Sequence, residues 1–111
     1  MNRIAMSPAA AALVRALAAR AGVTFDRILL SDVRSVDWQS LTLAGERHEI
    51  ELRVTAGGSR EIADRMCADL RDAELNIPGA IVADINVVAA PRRAPDGSTI
   101  VNFEALTICA D

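Results

Sequence analysis

The stretch that decides the fold reads RILLSDVRSV over residues 27–36, and GAIVADINVV over residues 79–88 matches it at an offset of 52. Apolar residues fall on apolar ones, and Asp32 falls on Asp84. Each copy follows a helix-like segment and precedes a turn and a second extended segment. Repeats of this length are typically copies of one supersecondary unit. We therefore predict one domain, residues 1–111, built of two pseudo-repeats at about residues 7–55 and 59–110.

Both repeats begin with a helical pattern. Ser7-Pro8 is a favourable helix start, and apolar residues recur at helical spacing until Gly22. In the second repeat the helix is predicted from Ser59, with a buried stripe through Ile62, Met66 and Leu70. Each helix is followed by a predicted hairpin.

The first hairpin is predicted from an extended region over residues 27–43, a loop at 44–47 and a return strand. Alternation is clean in the return strand, where His48 and Ile50 share one face and Glu49 and Glu51 the other. A bulge or a short interruption is expected at residues 38–40, where the alternation breaks. The second hairpin is predicted to pair residues 80–90 with 99–109 across a loop containing Pro-Asp-Gly.

The order helix-hairpin-helix-hairpin predicts an α+β, two-layer sandwich. Tandem αββ repeats form a four-stranded antiparallel sheet with two helices on one face. This arrangement resembles a permuted ferredoxin-like fold, and the resemblance carries no functional implication.

Composition excludes several classes of function. All 12 basic residues are arginine, which removes lysine chemistry, and the net charge is −3 with scattered arginines, which argues against nucleic-acid binding. Two cysteines without CxxC spacing and one histidine do not make a standard zinc site, so we expect no metal and no cofactor. The arginine and alanine usage fits a bacterial gene, free thiols fit the cytoplasm, and no apolar run reaches the length that spans a membrane.

One face of the sheet is predicted to lack a covering layer. Under the alternation, Ile81, Ala83 and Ile85 lie beneath the helices, and the opposite face is half apolar. A sheet face of this kind usually has an occupant, and we expect a second copy of the chain or another protein. The predicted interface residues are Ile28, Leu30, Val36, Val82 and Val88.

The same face holds the candidate ligand-binding residues, which are Asp32, Arg34, Trp38, Asp84 and Asn86. If the first strands of the repeats pair centrally, Asp32 and Asp84 come close enough for acid–base chemistry or a hard cation. The alternative is that one aspartate was duplicated with its strand and both point to water. His48 is a possible acid or base, or a core residue.

The sequence favours a small non-catalytic association module that acts as a homo-oligomer or accessory subunit through its open sheet face. The alternative is a ligand-binding or enzymatic domain that uses Asp32 and Asp84. A catalytic role is disfavoured because no set of nucleophile, base and orienting group can be assembled from these residues.

Overall fold

The computed structural model describes residues 5–109, in which two helices pack on an antiparallel sheet of six strands. The elements are α1 (Pro8–Ala19), β1 (Ile28–Gln39), β2 (Ala44–Val54), α2 (Ser59–Cys67), β3 (Asn76–Ile77), β4 (Ala80–Val87), β5 (Arg92–Arg93) and β6 (Thr99–Cys109), with 3₁₀ turns at Phe25–Arg27 and Leu70–Asp72. The predicted α+β class is confirmed. The four predicted long strands are present, and the two-residue strands β3 and β5 bring the sheet to six.

The strand order is β1-β2-β6-β4-β3, and β5 pairs with β6 beyond the end of β4. The centre of the sheet is therefore the pair β2 and β6, which are the second strands of the two hairpins. Their pairing runs without interruption from Gly45 opposite Ile108 to Val54 opposite Thr99. The first strands, β1 and β4, lie outside this pair.

The core lies on one face of the central pair. Leu13 and Leu17 of α1 and Met66 of α2 belong to a single buried cluster with Leu52 of β2 and Phe103 of β6. Alternate residues of these strands enter the cluster because strand side chains point to opposite faces in turn. Both helices therefore cover the same face, as predicted.

Two arginines tie the C-terminal ends of the helices together. Arg20, at the end of α1, donates to the carbonyl oxygens of Met66 and Ala68 at the end of α2. In return, Arg65 of α2 donates to the carbonyl oxygen of Ala21 at 2.8 Å and 3.0 Å. Each helix end thus obtains a cationic donor for carbonyls that have no partner within their own helix.

Register shifts occur at equivalent positions in the two outer strands. The pairing of β1 with β2 skips between Leu30 and Asp32, and that of β4 with β6 skips between Val82 and Asp84. The two shifts are separated by the same offset of 52 that relates the sequence repeats, which is what duplicated units would give. The internal repeat itself stays a prediction.

These shifts correct the predicted faces. An extra residue in a strand reverses the direction of the side chains on one side of it. Ile28, Leu30 and Val82, predicted for the open face, instead pack against the core cluster, and Leu29 and Ile81 are exposed. No bulge occurs at residues 38–40, since β1 stays in register to Gln39 opposite Ala44. The extended region is interrupted there instead, because β1 ends at Gln39.

The first hairpin loop also lies earlier than predicted. The loop is formed by residues 40–43, and Ala44 already begins β2. The Ser40 amide donates to the Leu43 carbonyl oxygen at 2.8 Å, and the Leu43 amide donates to the Ser40 hydroxyl at 3.1 Å. These bonds stabilise a turn at residues 40–43, whereas the turn was predicted at residues 44–47.

Candidate functional site: the open face of the sheet

The open face is the side of the sheet opposite the helices, and no element within residues 5–109 covers it. Strand register arranges its side chains in rows that cross β1, β2, β6 and β4 in turn. The four rows are Asp32–Glu51–Asn102–Val88, Arg34–Glu49–Glu104–Asn86, Val36–Arg47–Leu106–Asp84 and Trp38–Gly45–Ile108–Ile81. Charge is concentrated in the first two rows and apolar surface in the last two.

The middle rows line a shallow trough of about 270 Å³. Arg34 and Val36 of β1 form one wall, and Asp84 and Asn86 of β4 form the other. A second hollow of about 240 Å³ adjoins it and includes Asp32. The two hollows share Glu49 and Glu104, so they form one depression along the open face.

The floor of the trough is electrostatically unfavourable. Glu49 of β2 and Glu104 of β6 lie directly opposite each other, and like charges in this position destabilise a strand pair. The Glu49 carboxylate has a partner in Arg34 at 3.8 Å, but both side chains are largely exposed, so the pair is weak. Within residues 5–109, Arg47, Asp84 and Glu104 belong to no ion pair.

An apolar cluster occupies the end of the open face beside the first hairpin loop. We call it the apolar end, and it consists of Val36, Trp38, Ile81, Leu106 and Ile108. Its outer members are the most exposed: Ile81 is 58% accessible and Val36 is 49% accessible. Gly45 lies between Trp38 and Ile108, and a side chain at this position would collide with the Thr107 carbonyl. The absence of a side chain at Gly45 keeps this end of the sheet flat.

The five predicted ligand-binding residues all lie on the open face but do not form one site. Asp32, Arg34 and Trp38 lie on β1, whereas Asp84 and Asn86 lie on β4, with β2 and β6 between them. Three strand spacings separate β1 from β4, which is about 14 Å. The trough brings Arg34, Asp84 and Asn86 to its walls, and the Asn86 amide donates to the Asp84 carboxylate at 3.1 Å. Asp32 and Asp84 are too far apart to share a proton or a cation.

Of the predicted interface residues, Val36 and Val88 are exposed on the open face. Ile28, Leu30 and Val82 contact the core on the other side of the sheet, so they are not available to a partner there.

The imidazole of His48 does not reach the trough. It is 1% exposed and lies on the helix side, where Nδ1 is 2.8 Å from the Ser35 hydroxyl and Nε2 is 2.8 Å from the Thr107 hydroxyl. Burial lowers the pKa of His48 below its usual 6.5, against a smaller opposing effect of Glu46. The neutral ring, with one donor and one acceptor, suits two hydroxyl partners. The side chain is a hydrogen-bonded core residue that links β1, β2 and β6.

The residues that sequence reasoning missed are those of the central strands. Arg47, Glu49, Glu104 and Leu106 form the floor of the depression, whereas the five predicted ligand-binding residues all lie on the first strands, β1 and β4. The alternation around Glu49 already assigned this carboxylate to the face opposite the core. The missing information was which strands lie at the centre of the sheet.

The depression shows no arrangement typical of catalysis. The part of the chain that the structure describes contains no group of three His, Cys, Asp or Glu side chains placed to hold a metal ion. Cys67 is half-buried, and burial raises the pKa of its thiol, which disfavours the reactive thiolate. None of the helices described is long and apolar enough to cross a membrane.

Comparison with known proteins gives a likeness of fold. No protein-family model matches the sequence, and no curated protein matches it. Among solved structures, the chain is similar to a chain of the "Virion of native gene transfer agent (GTA) particle", with a TM-score of 0.50 and 19% sequence identity over 73% of this chain and 67% of that one. The fold found here thus also occurs in a subunit of a virion particle.

Proposed function

We propose that this chain is a non-catalytic association module, a structural subunit that binds other protein subunits through the open face of its sheet. The observation that supports this most directly is the apolar end. Five aliphatic or aromatic side chains from β1, β6 and β4 lie there, on a face that no described residue covers, and β2 contributes Gly45 and Arg47 between them. Contiguous apolar surface of this kind is characteristic of protein–protein interfaces.

The composition of the depression supports a protein partner. An interface typically has an apolar centre and a polar, hydrated rim. Here Arg47 and Asp84 share a row with Val36 and Leu106 of the apolar end, and Glu104 lies in the next row; a partner's side chains can neutralise these unpaired charges. A second copy of the chain is the first partner to test, since symmetric homo-oligomers are the commonest assemblies.

The likeness of fold suggests where such a subunit works. Because the similar chain belongs to a virion of a gene transfer agent particle, we propose that this chain is likewise a component of a particle of many protein subunits. This role requires no cofactor and no catalytic group. A cytoplasmic location and a bacterial source remain predictions from composition.

The test is a charge placed in the apolar end. Ile81→Asp changes a residue that is 58% accessible, so folding is preserved, and its carboxylate opposes burial against a partner. Phe25→Asp is the matched control, since Phe25 is 61% accessible and lies beside α1, away from the open face. Light scattering after size exclusion is expected to show a lower mass for Ile81→Asp than for the wild type, with Phe25→Asp unchanged. Equal masses for all three proteins would contradict the use of this face.

A further inference from the structure

The strand β1 forms a free edge of the sheet. Its inner side pairs with β2, and no strand among residues 5–109 pairs with its outer side. The opposite edge differs, since β3 pairs with the start of β4 and the turn at Leu70–Asp72 packs against β4. A free edge presents backbone donors and acceptors that another strand can use. The twelve-residue β1 offers this along a regular segment, residues 32–39, after the register shift.

A second copy of the same strand is an occupant that can be examined residue by residue. Two copies of one strand pair antiparallel about a two-fold axis, so the residue on the axis faces itself. Side chains that face each other across the pair lie on the same side of the sheet. Any residue of 32–39 can lie on the axis, but the axes at residues 34–37 pair the most residues of this segment. The side chains distinguish these four registers.

Three registers are disfavoured by charge. An axis at Arg34 places two guanidinium groups opposite each other, and an axis at Asp37 does the same with two carboxylates. An axis at Ser35 places the carboxylate of Asp32 against the indole of Trp38, and the negative face of the ring repels the carboxylate.

An axis at Val36 gives complementary pairs over its central five residues, 34–38. Val36 faces Val36 at the centre, and on each side Arg34 faces Trp38 on the open face. A guanidinium over an indole is the most favourable cation–π pair in proteins. On the other face Ser35 meets Asp37, which allows a hydroxyl-to-carboxylate hydrogen bond. We propose that two copies of this chain pair along β1 in this register and join their sheets into one.

The present surroundings of these side chains leave them available. Val36 is 49% accessible. Within residues 5–109, the ion-pair partner of Arg34 is Glu49, at 3.8 Å, and 71% of the Arg34 side chain is exposed. A pair this exposed contributes little, so the Arg34 guanidinium can turn toward an indole without a large loss. The pairing also brings the Val36 and Trp38 side chains of both copies together on the open face.

Single cysteines test the register directly. In a Cys67→Ala, Cys109→Ser background, the variants Arg34→Cys, Ser35→Cys and Val36→Cys are oxidised mildly and analysed on non-reducing gels. Opposed residues in an antiparallel pair have Cα atoms about 4.5–5.5 Å apart, within the range of a disulfide. The proposed register predicts a covalent dimer for Val36→Cys and little for its two neighbours, whose self-distances are too long.

The dissociation constant gives a second readout. Trp38 is the only tryptophan and the chain has no tyrosine, so tryptophan emission on dilution reports directly on the proposed interface. Loss of two cation–π contacts in Arg34→Gln is expected to raise the dissociation constant about tenfold. Arg60→Gln, an exposed residue of α2 outside both the pairing and the open face, is expected to leave it unchanged.

The proposal is overturned if Val36→Cys gives no more dimer than its neighbours, or if Arg34→Gln and Arg60→Gln behave alike. It does not depend on the proposed function of the open face. Ile81 lies on β4, three strands from the edge, so Ile81→Asp is expected to leave the Val36→Cys dimer intact. A lower mass for Ile81→Asp, together with no disulfide-linked dimer of Val36→Cys, would support association through the open face and reject pairing along β1.

Discussion

The two faces of the central strand pair differ in how many of their side chains are buried, hydrogen-bonded or paired with an opposite charge. On the helix side, even the polar residues His48 and Thr107 are buried and hydrogen-bonded to each other. On the open side, Glu49 and Glu104 oppose each other, and apolar side chains remain exposed at one end. Folding of a single chain thus buries and pairs the side chains on the helix side of the sheet but not those on the open side. Folding alone gives no reason for this arrangement, and the proposed association through the open face would account for it.

The largest loss of stability is expected from a substitution in the core, on the covered face of the sheet. Phe103 is 1% exposed within the buried cluster, so Phe103→Ala leaves a cavity and should lower the free energy of unfolding by about 3–5 kcal/mol. Arg47→Ala, on the open face of the neighbouring strand, should change it by less than about 0.5 kcal/mol. Urea denaturation measures both. Similar losses for the two variants would show that the faces do not differ as described.

An intermediate effect is expected from the buried polar group. Thr107→Val removes the partner of His48 Nε2 and should lower the free energy of unfolding by about 1–3 kcal/mol, because the ring nitrogen then lacks a hydrogen bond. Thr24→Val, a surface threonine, serves as the control. No loss in Thr107→Val would argue against a required hydrogen bond at the ring.

The same histidine makes stability depend on pH. Burial lowers the pKa of His48 in the folded state, so the unfolded chain binds a proton more readily. Stability is then complete above the unfolded pKa of 6.5 and falls as the pH drops below it. His48→Gln should remove this part of the dependence in urea titrations between pH 7.5 and 5. Since the chain has a single histidine, NMR of its imidazole reports this pKa directly, and a value above 6.5 would contradict the account.

The smallest effect is expected from the open face. Glu104→Gln removes one of two opposed carboxylates and should raise the free energy of unfolding by about 0.5 kcal/mol at low salt, with the gain disappearing at high salt. Glu74→Gln changes an exposed charge outside the sheet and should have no such effect. A loss of stability in Glu104→Gln would mean that the carboxylate has a favourable partner.

The sequence allowed prediction of elements better than of their arrangement. Helical spacing located both helices, and the alternation around Ile50 assigned the covered face of β2 correctly. The shifts next to Asp32 and Asp84 could not be read from the sequence, because a bulge depends on pairing with a neighbouring strand rather than on composition. They reversed the faces of Ile28, Leu30 and Val82, and with them three of the predicted interface residues.

The candidate site, like the fold, could be predicted from the sequence only in part. The residues of the open face followed from alternation, but their distances depend on strand order, which local patterns do not specify. Since β2 and β6 occupy the centre, Asp32 and Asp84 are separated, and Glu49 and Glu104 take the central position. The residues predicted from the first strands therefore include the walls of the depression, whereas the residues of its floor, on β2 and β6, were not predicted.

The most direct test of the central claim, that the open sheet surface serves association, is the absolute molar mass of the wild-type chain in solution. Light scattering after size exclusion, over a wide range of protein concentration, is expected to give at least twice the chain mass of 11.8 kDa at the higher concentrations. A mass of 11.8 kDa at every concentration would contradict self-association through the open face or the β1 edge.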